Sequence, residues 1–131
     1  MSLCYAFSMK NFDKWNEVKK NIDGFIMRSF YHKGDIWWCY LGENVGFEHN
    51  GTGINYTRPV LVVCGVSKEC CVVVPLTHSK SEHKMRIKID EERFAVISQI
   101  RVVDVKRFKK KQGVLKHETL EKITKAIREL F

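Results

Sequence analysis

After residue 35 the chain breaks into short β-branched and aromatic runs, and their close succession constrains the fold more than any other feature. The runs are Ile36 to Leu41, Val60 to Val66, Cys70 to Leu76, Met85 to Ile89, Phe94 to Ile97 and Ile100 to Val105. Residues of these types favour extended backbone, and each run has the length of a strand rather than of a helix. Met85, Ile87 and Ile89 alternate with Arg86 and Lys88, which predicts a strand with one wet face. A sheet leaves unpaired edges unless it closes on itself, so several short strands in succession predict a small barrel. At 131 residues the chain supports one hydrophobic core and not two.

Helical periodicity flanks this β-rich stretch on both sides. Phe12, Trp15, Val18 and Ile22 recur at helical spacing, with Asn11 placed to cap the start and Gly24 just past the end. Lys14, Lys19 and Lys20 occupy the other face, which is either simply solvated or in touch with an acidic partner. From about His117 onward, Leu120, Ile123, Ile127 and Leu130 form a second stripe that must be buried on the barrel or on a second subunit. The connection from Gly42 to Thr57, about 16 residues long, holds Gly42, Gly46, Gly51 and Gly53, and loops of that length are usually functional or mobile. The expected division is a helical N-terminal extension over residues 1–32 and a barrel domain over residues 33–131.

Composition narrows the class of partner. Hydrophobic residues make up 44% and charged residues 29%, a globular usage far from that of disordered chains. The formal net charge of +8 favours an acidic partner, whether nucleic acid, an anionic membrane surface or an acidic protein. No apolar run approaches the roughly 20 residues of a spanning helix, and the N-terminus lacks the layout of a secretion signal. A cytoplasmic protein that does not associate with membranes is therefore expected. The five cysteines, Cys4, Cys39, Cys64, Cys70 and Cys71, are odd in number, which argues for reduced thiols over a disulfide framework. They contain no C-x-x-C pair, and Cys70 and Cys71 should point to opposite faces of a strand, so buried small hydrophobes are expected rather than a zinc site.

Four segments occur in order: Gly34-Asp35-Ile36-Trp37-Trp38, Gly46-Phe47-Glu48-His49, Thr57-Arg58-Pro59-Val60-Leu61-Val62-Val63 and Gln99-Ile100-Arg101-Val102-Val103-Asp104. Between the last two lies Val73-Val74-Pro75-Leu76-Thr77, an apolar run ending in a threonine. Each is weak alone, but in this order and spacing they resemble the MazF/PemK family of small ribonuclease toxins, over about Lys33 to Phe131. The resemblance implies a mainly β fold, a small SH3-like barrel with a C-terminal helix, to which this chain adds an N-terminal helix. It also implies a homodimer that cleaves single-stranded RNA or mRNA without metal or other cofactor and is neutralised by a cognate antitoxin protein.

Residue chemistry fits that implication. Ribose carries its own nucleophile, the 2′-hydroxyl beside the scissile phosphate, so an intramolecular attack needs neither recruited water nor a metal. Such an attack leaves a 2′,3′-cyclic phosphate and a 5′-hydroxyl. Proton transfer and charge remain to be supplied. A guanidinium offers two parallel donors to the phosphorane oxygens and is always charged, which makes Arg58 the first candidate. Pro59 fits the first residue of a strand and would hold Arg58 at the barrel rim; the plainer alternative is a surface arginine that begins a strand. Thr77 can donate its hydroxyl to the same phosphate, or serve only as a turn residue.

The proton acceptor is harder to assign. Many family members carry an acidic residue immediately before the glutamine of the Gln-Ile-Arg segment, where this chain has Ser98, and serine is no base near neutral pH. Where some members carry histidine or serine in the first long loop, this chain has Phe47, followed by Glu48 and His49. His49, with an unperturbed pKa near 6.5, is the third catalytic candidate. His78 is a second histidine candidate because it adjoins Thr77; an exposed loop residue is the plain alternative for each. Gln99 is suited to ordering the site or touching RNA. Arg101 and Asp104 are read as a structural ion pair or turn contact. Of Trp37 and Trp38, which face opposite ways on a strand, one at most can stack on a base, and Trp37 is taken as that one.

Lys109 and Lys110 belong to a basic run from Lys106 to Lys111 between the last strand and the final helix. That run either attracts phosphates or is a solvated loop. The candidate RNA contacts are thus Phe47, Glu48, Trp37, His78, Ser98, Gln99, Lys109 and Lys110. A catalytically impaired barrel that only binds RNA, DNA or an antitoxin, and a purely protein-binding module, are the other readings.

Overall fold

The computed structural model describes residues 11–24, 30–42, 56–78 and 85–131. Within them the β-branched runs become strands and the periodic stretches become helices. In chain order these are α1 (Phe12–Asp23), β1 (Asp35–Tyr40), β2 (Thr57–Gly65), β3 (Cys70–Thr77), β4 (Arg86–Lys88), β5 (Phe94–Val96), β6 (Arg101–Asp104), β7 (Phe108–Val114) and α2 (His117–Arg128). Single 3-10 turns, Ile97–Gln99 and Val105–Arg107, precede and follow β6.

All strand pairs are antiparallel, and the sheet runs β4-β5-β3-β2-β1-β7. Strand β3 serves two partners along one side: Cys70 to Val73 pair with β6, and Leu76 and Thr77 pair with β5. The 3-10 turn after β6 delivers the chain into β7, which pairs with β1 at the far side, so the sheet curls round into a barrel. The result is mainly β, a small SH3-like barrel with one helix before it and one after it.

Alternation along the strands fills two cores. On β2, Val60 and Val62 face the barrel interior with Cys39, Val73, Val103 and Phe108. Leu61 and Val63 face outward, where Val74, Leu76, Leu120 and Ile123 cover them. Both faces of β2 are therefore dry, which explains why its sequence reads as an unbroken apolar run rather than an alternation. Full burial of a valine or leucine side chain contributes about 1.5–3 kcal/mol. The stripe on α2 is buried on its own barrel, with Ile123 fully covered and Ile127 and Leu130 packed partly against it.

The start of β1 is held by a buried carboxylate. Asp35 is 1% exposed and accepts from the His32 backbone N–H at 2.8 Å and from Trp37 Nε1 at 3.3 Å, while Lys111 Nζ lies 3.3 Å from its other oxygen. A charge withdrawn from water needs such partners. Gly34, at φ +93°, makes the preceding turn and lies against Leu120.

Two sequence expectations are corrected here. The basic run beyond Val105 is not a loop: β7 begins at Phe108 and carries Lys109, Lys110 and Lys111 along a sheet edge. Two register shifts against β1 destroy the period-2 pattern that would have revealed it, and lysines on an edge discourage pairing with another chain. Strand β2 begins at Thr57, so Pro59 sits inside the strand opposite Trp38 rather than at its first position.

The N-terminal helix is docked on the barrel. Asn11 caps it by accepting from the Lys14 N–H at 3.0 Å, as the sequence predicts. Trp15 and Ile22 are buried with Tyr56, while Phe12, expected on the same apolar face, is 48% exposed. Trp15 rests on Gly42, whose φ is +71°; a Cβ there would lie 1.9 Å from the indole. Among the described residues no helix is long and apolar enough to cross a membrane.

Candidate nucleic-acid site at the barrel rim

Arg58 lies opposite Cys39 and shares the strand parity of Val60 and Val62, so its side chain emerges on the barrel's inner face where that face reaches the rim. Its Nη1 donates to the carbonyl oxygen of Leu76 at 3.2 Å, tying the guanidinium to β3. The register Val60↔Pro75, carried two residues further, brings Arg58 across from Thr77, and residues facing each other across an antiparallel pair project to the same side. Arg58 is half-buried, and desolvation lowers its pKa, although a guanidinium stays protonated at neutral pH. A rim cation held between two strands and partly shielded from water interacts more strongly with a phosphate than a freely solvated one. Thr77 closes β3, is partly exposed and pairs with Phe94.

Ser98 and Gln99 lie on the 3-10 turn before β6 and line a cleft of about 380 Å³ with Leu41, Pro75 and Arg101. Pro75 stands two residues before Thr77 on the same strand and face, so this cleft runs along the wall from which Arg58 and Thr77 rise. Ser98 is exposed and Gln99 half-buried. Asp104 accepts from the Lys106 N–H at 2.8 Å, the turn contact expected of it.

The other candidates divide. His78 lines a separate cleft of about 510 Å³ with Trp38, Pro59 and Arg93, where its Nδ1 is 3.2 Å from the Glu92 carbonyl oxygen. Trp38 and Pro59 point away from Arg58, so His78 and Arg58 stand on opposite sides of the sheet. Lys110 pairs with Trp38 and belongs to that same outer side; Lys109 is exposed beside it. Trp37 is corrected: it is 8% exposed, and its ring stacks on Phe108 at 5.1 Å between centroids with planes 9° apart, which takes the face an unpaired base would use. Trp38 is the more accessible of the two. Phe47, Glu48 and His49 lie outside the described residues.

Sequence reasoning read Arg101 as a structural contact and placed Arg107 in the basic run, and did not foresee that the two would meet on the next wall. Arg107 is held by its own hydrogen bond to the Tyr40 carbonyl oxygen at 3.1 Å and lies over the Trp15 ring at 5.9 Å. Burial, and then the nearby Arg101, lower its pKa. Arg101 opens β6 and Arg107 ends the 3-10 turn that follows it, and no periodicity announces that they converge. Among the described residues no three His, Cys, Asp or Glu side chains gather as a metal-ligand set.

The fold recurs in solved structures. MazF from Deinococcus radiodurans is 14% identical, with a TM-score of 0.60 over 78% of this chain and 96% of that one. An endoribonuclease from a Mycobacterial species is 15% identical, with a TM-score of 0.58 over 79% of this chain and 92% of that one. A Mycobacterial endoribonuclease in complex with its cognate antitoxin is 15% identical, with a TM-score of 0.55 over 76% and 92%. No curated protein matches the sequence. Residues 32–131 match the family described as PemK-like, MazF-like toxin of type II toxin-antitoxin system, which leaves α1 outside the match. On the strength of that match over most of its length, the chain belongs to the PemK-like, MazF-like toxin family.

Proposed function

We propose that the protein is an endoribonuclease that cuts single-stranded RNA by attack of the ribose 2′-oxygen on the adjacent phosphorus. The 2′-O–P bond forms as the P–5′-O bond breaks, giving a 2′,3′-cyclic phosphate and a 5′-hydroxyl. One proton leaves the 2′-hydroxyl and one is gained by the departing 5′-oxygen. The observation that carries the reading is the placement of Arg58 across from Thr77 on one rim of the barrel. Arg58 neutralises the two equatorial oxygens as charge builds on them, and Thr77 donates its hydroxyl to one. Gln99 orders the neighbouring nucleotide through its amide, and the open cleft at Ser98 admits the strand.

His49 is the proposed proton carrier, with Glu48 beside it as an RNA contact. His78 is not proposed for this role, because it lines the cleft on the other side of the sheet with Trp38 and Pro59. No step requires a metal, since the nucleophile is already attached to the substrate. The active form is proposed to be a homodimer in the cytoplasm, and its inhibitor an antitoxin protein whose acidic segment competes for the cationic surface. Family membership and the antitoxin-bound structural neighbour support that partner.

The test is incubation of the purified protein with unstructured RNA in excess EDTA, followed by mapping of the ends. Cleavage that persists in EDTA and leaves cyclic phosphate ends is expected. Cleavage abolished by chelator overturns metal independence, and absence of cutting on several sequences overturns the nuclease reading. A barrel with Ser98 in place of an acid that retains RNA affinity without product is the second reading, and the same assay separates it.

A further inference from the structure

The helix that lies outside the family match walls a second cationic groove. Trp15 and Lys19 of α1 face Leu41, Arg101 and Arg107 of the barrel across a cleft of about 420 Å³. Leu41 and Arg101 also line the Ser98 and Gln99 cleft, so the two depressions join end to end along those residues. Beyond Arg107 and Lys19 the surface continues into a third depression, reached by Lys20 and Lys106. The family barrel supplies one wall of this extension and α1 the other.

Charge and shape decide what the extension fits. Five cations, Lys19, Lys20, Arg101, Lys106 and Arg107, border it against three carboxylates, those of Asp13, Asp23 and Asp104. The Asp104 carboxylate accepts from the Lys106 N–H and keeps its charge, so the bordering cations exceed the carboxylates by two. The Arg107 guanidinium is preset by the Tyr40 carbonyl and the Trp15 ring. Half-exposed Phe12 adds an apolar surface at the same wall. A row of cations beside an aromatic surface, continuous with a strand-cutting site, matches the phosphate spacing and base faces of unpaired RNA.

We propose that α1 and the Arg101–Arg107 wall form an extended binding track for the single-stranded RNA that flanks the cut site, so that the added helix lengthens the recognised strand. The track rests on the ribonuclease reading and deepens it. It acts on nucleotides beyond the reacting phosphate, so its contribution appears in binding of long strands and not in the rate of the chemical step.

The experiment compares the whole chain with Lys19→Ala/Lys20→Ala, two exposed positions whose loss leaves the buried Trp15 contact untouched. Cleavage is measured on a short RNA that spans only the cut site and on one extended by about eight nucleotides on each side. For the double variant KM on the long RNA should rise several-fold, with kcat unchanged and KM on the short RNA unchanged. Lys106→Ala provides a second measurement, from the barrel wall away from the Ser98 cleft, and should reduce the advantage of long over short RNA.

Affinity for a 2′-O-methyl long strand, which cannot react, is read in parallel by anisotropy at two salt concentrations, and the variant should show the shallower salt dependence. Equal KM values for variant and wild type on the long RNA overturn the track. So does an equal loss on short and long RNA, or a loss of affinity for poly-glutamate with none for RNA, which would assign the groove to an acidic protein. Failure of the wild-type chain to cut any RNA overturns the nuclease reading instead; the anisotropy comparison then decides the track alone.

Discussion

At the scale of the residue, the proposed chemistry depends on the shape of the Arg58 side chain as much as on its charge. Its guanidinium reaches across to the Leu76 carbonyl and stands opposite Thr77, a geometry that a lysine's single ammonium cannot copy. Arg58→Lys should therefore lower kcat on RNA by about 100-fold or more, the scale seen when one preorganised donor is removed from a charge-developing site. The thermal midpoint should move little, because the position is half-exposed. Single-turnover kinetics beside a melting curve checks both, and a variant of near wild-type rate would remove Arg58 from the proposed mechanism. Arg58 was legible as a candidate because a guanidinium suits a phosphorane and because the segment that carries it falls in order among the family's segments, not because Arg-Pro is telling by itself. The burial of Trp37 was not legible: two adjacent tryptophans on a strand must face opposite ways, but only the position of Phe108 decides which one is covered.

At the scale of the element, the tightest contact between α1 and the barrel is that of Trp15 with Gly42. Gly42 combines a left-handed backbone, φ +71°, with the absence of a side chain, and Trp15 occupies the space a Cβ would need. Gly42→Ala should therefore displace the indole and release α1 from the barrel, at a cost of about 3–5 kcal/mol if the whole contact is lost. Limited proteolysis between α1 and β1 should become much faster while the protease-resistant barrel remains; an unchanged digestion pattern would show that the helix is held by other means. The helices themselves were readable in the sequence, since 3.6-residue periodicity, the Asn11 cap and the α2 stripe are local signals. Strand β7 was not, because its two register shifts and three consecutive exposed lysines leave no alternation to see.

At the scale of the whole molecule, closing the sheet into a barrel takes two thiols out of water. Burial pushes the pKa of Cys39 and that of Cys71 up to about 12, from 9.0, so both hold their protons in the folded protein where the unfolded chain would release them. Because the folded values are raised, the contribution to stability is complete below about pH 9 and declines as pH rises toward 12. Denaturant unfolding between pH 8 and pH 11 should show the wild type losing stability relative to Cys39→Val and Cys71→Val as pH increases. Parallel curves for the three proteins would contradict this. The family's segments, the strand-rich texture and the lack of any long apolar run in the sequence were set by the order of residue types along the chain, because period-2 and period-3.6 patterns and short motifs act over a few neighbours. Which faces are covered, that strand register sets Arg58 on the same side as Thr77 while His78 lines the cleft on the other side, and that Arg101 and Arg107 converge under α1 were decided only by tertiary structure. Strand register and barrel closure bring together residues far apart in sequence, and no local pattern encodes those distances.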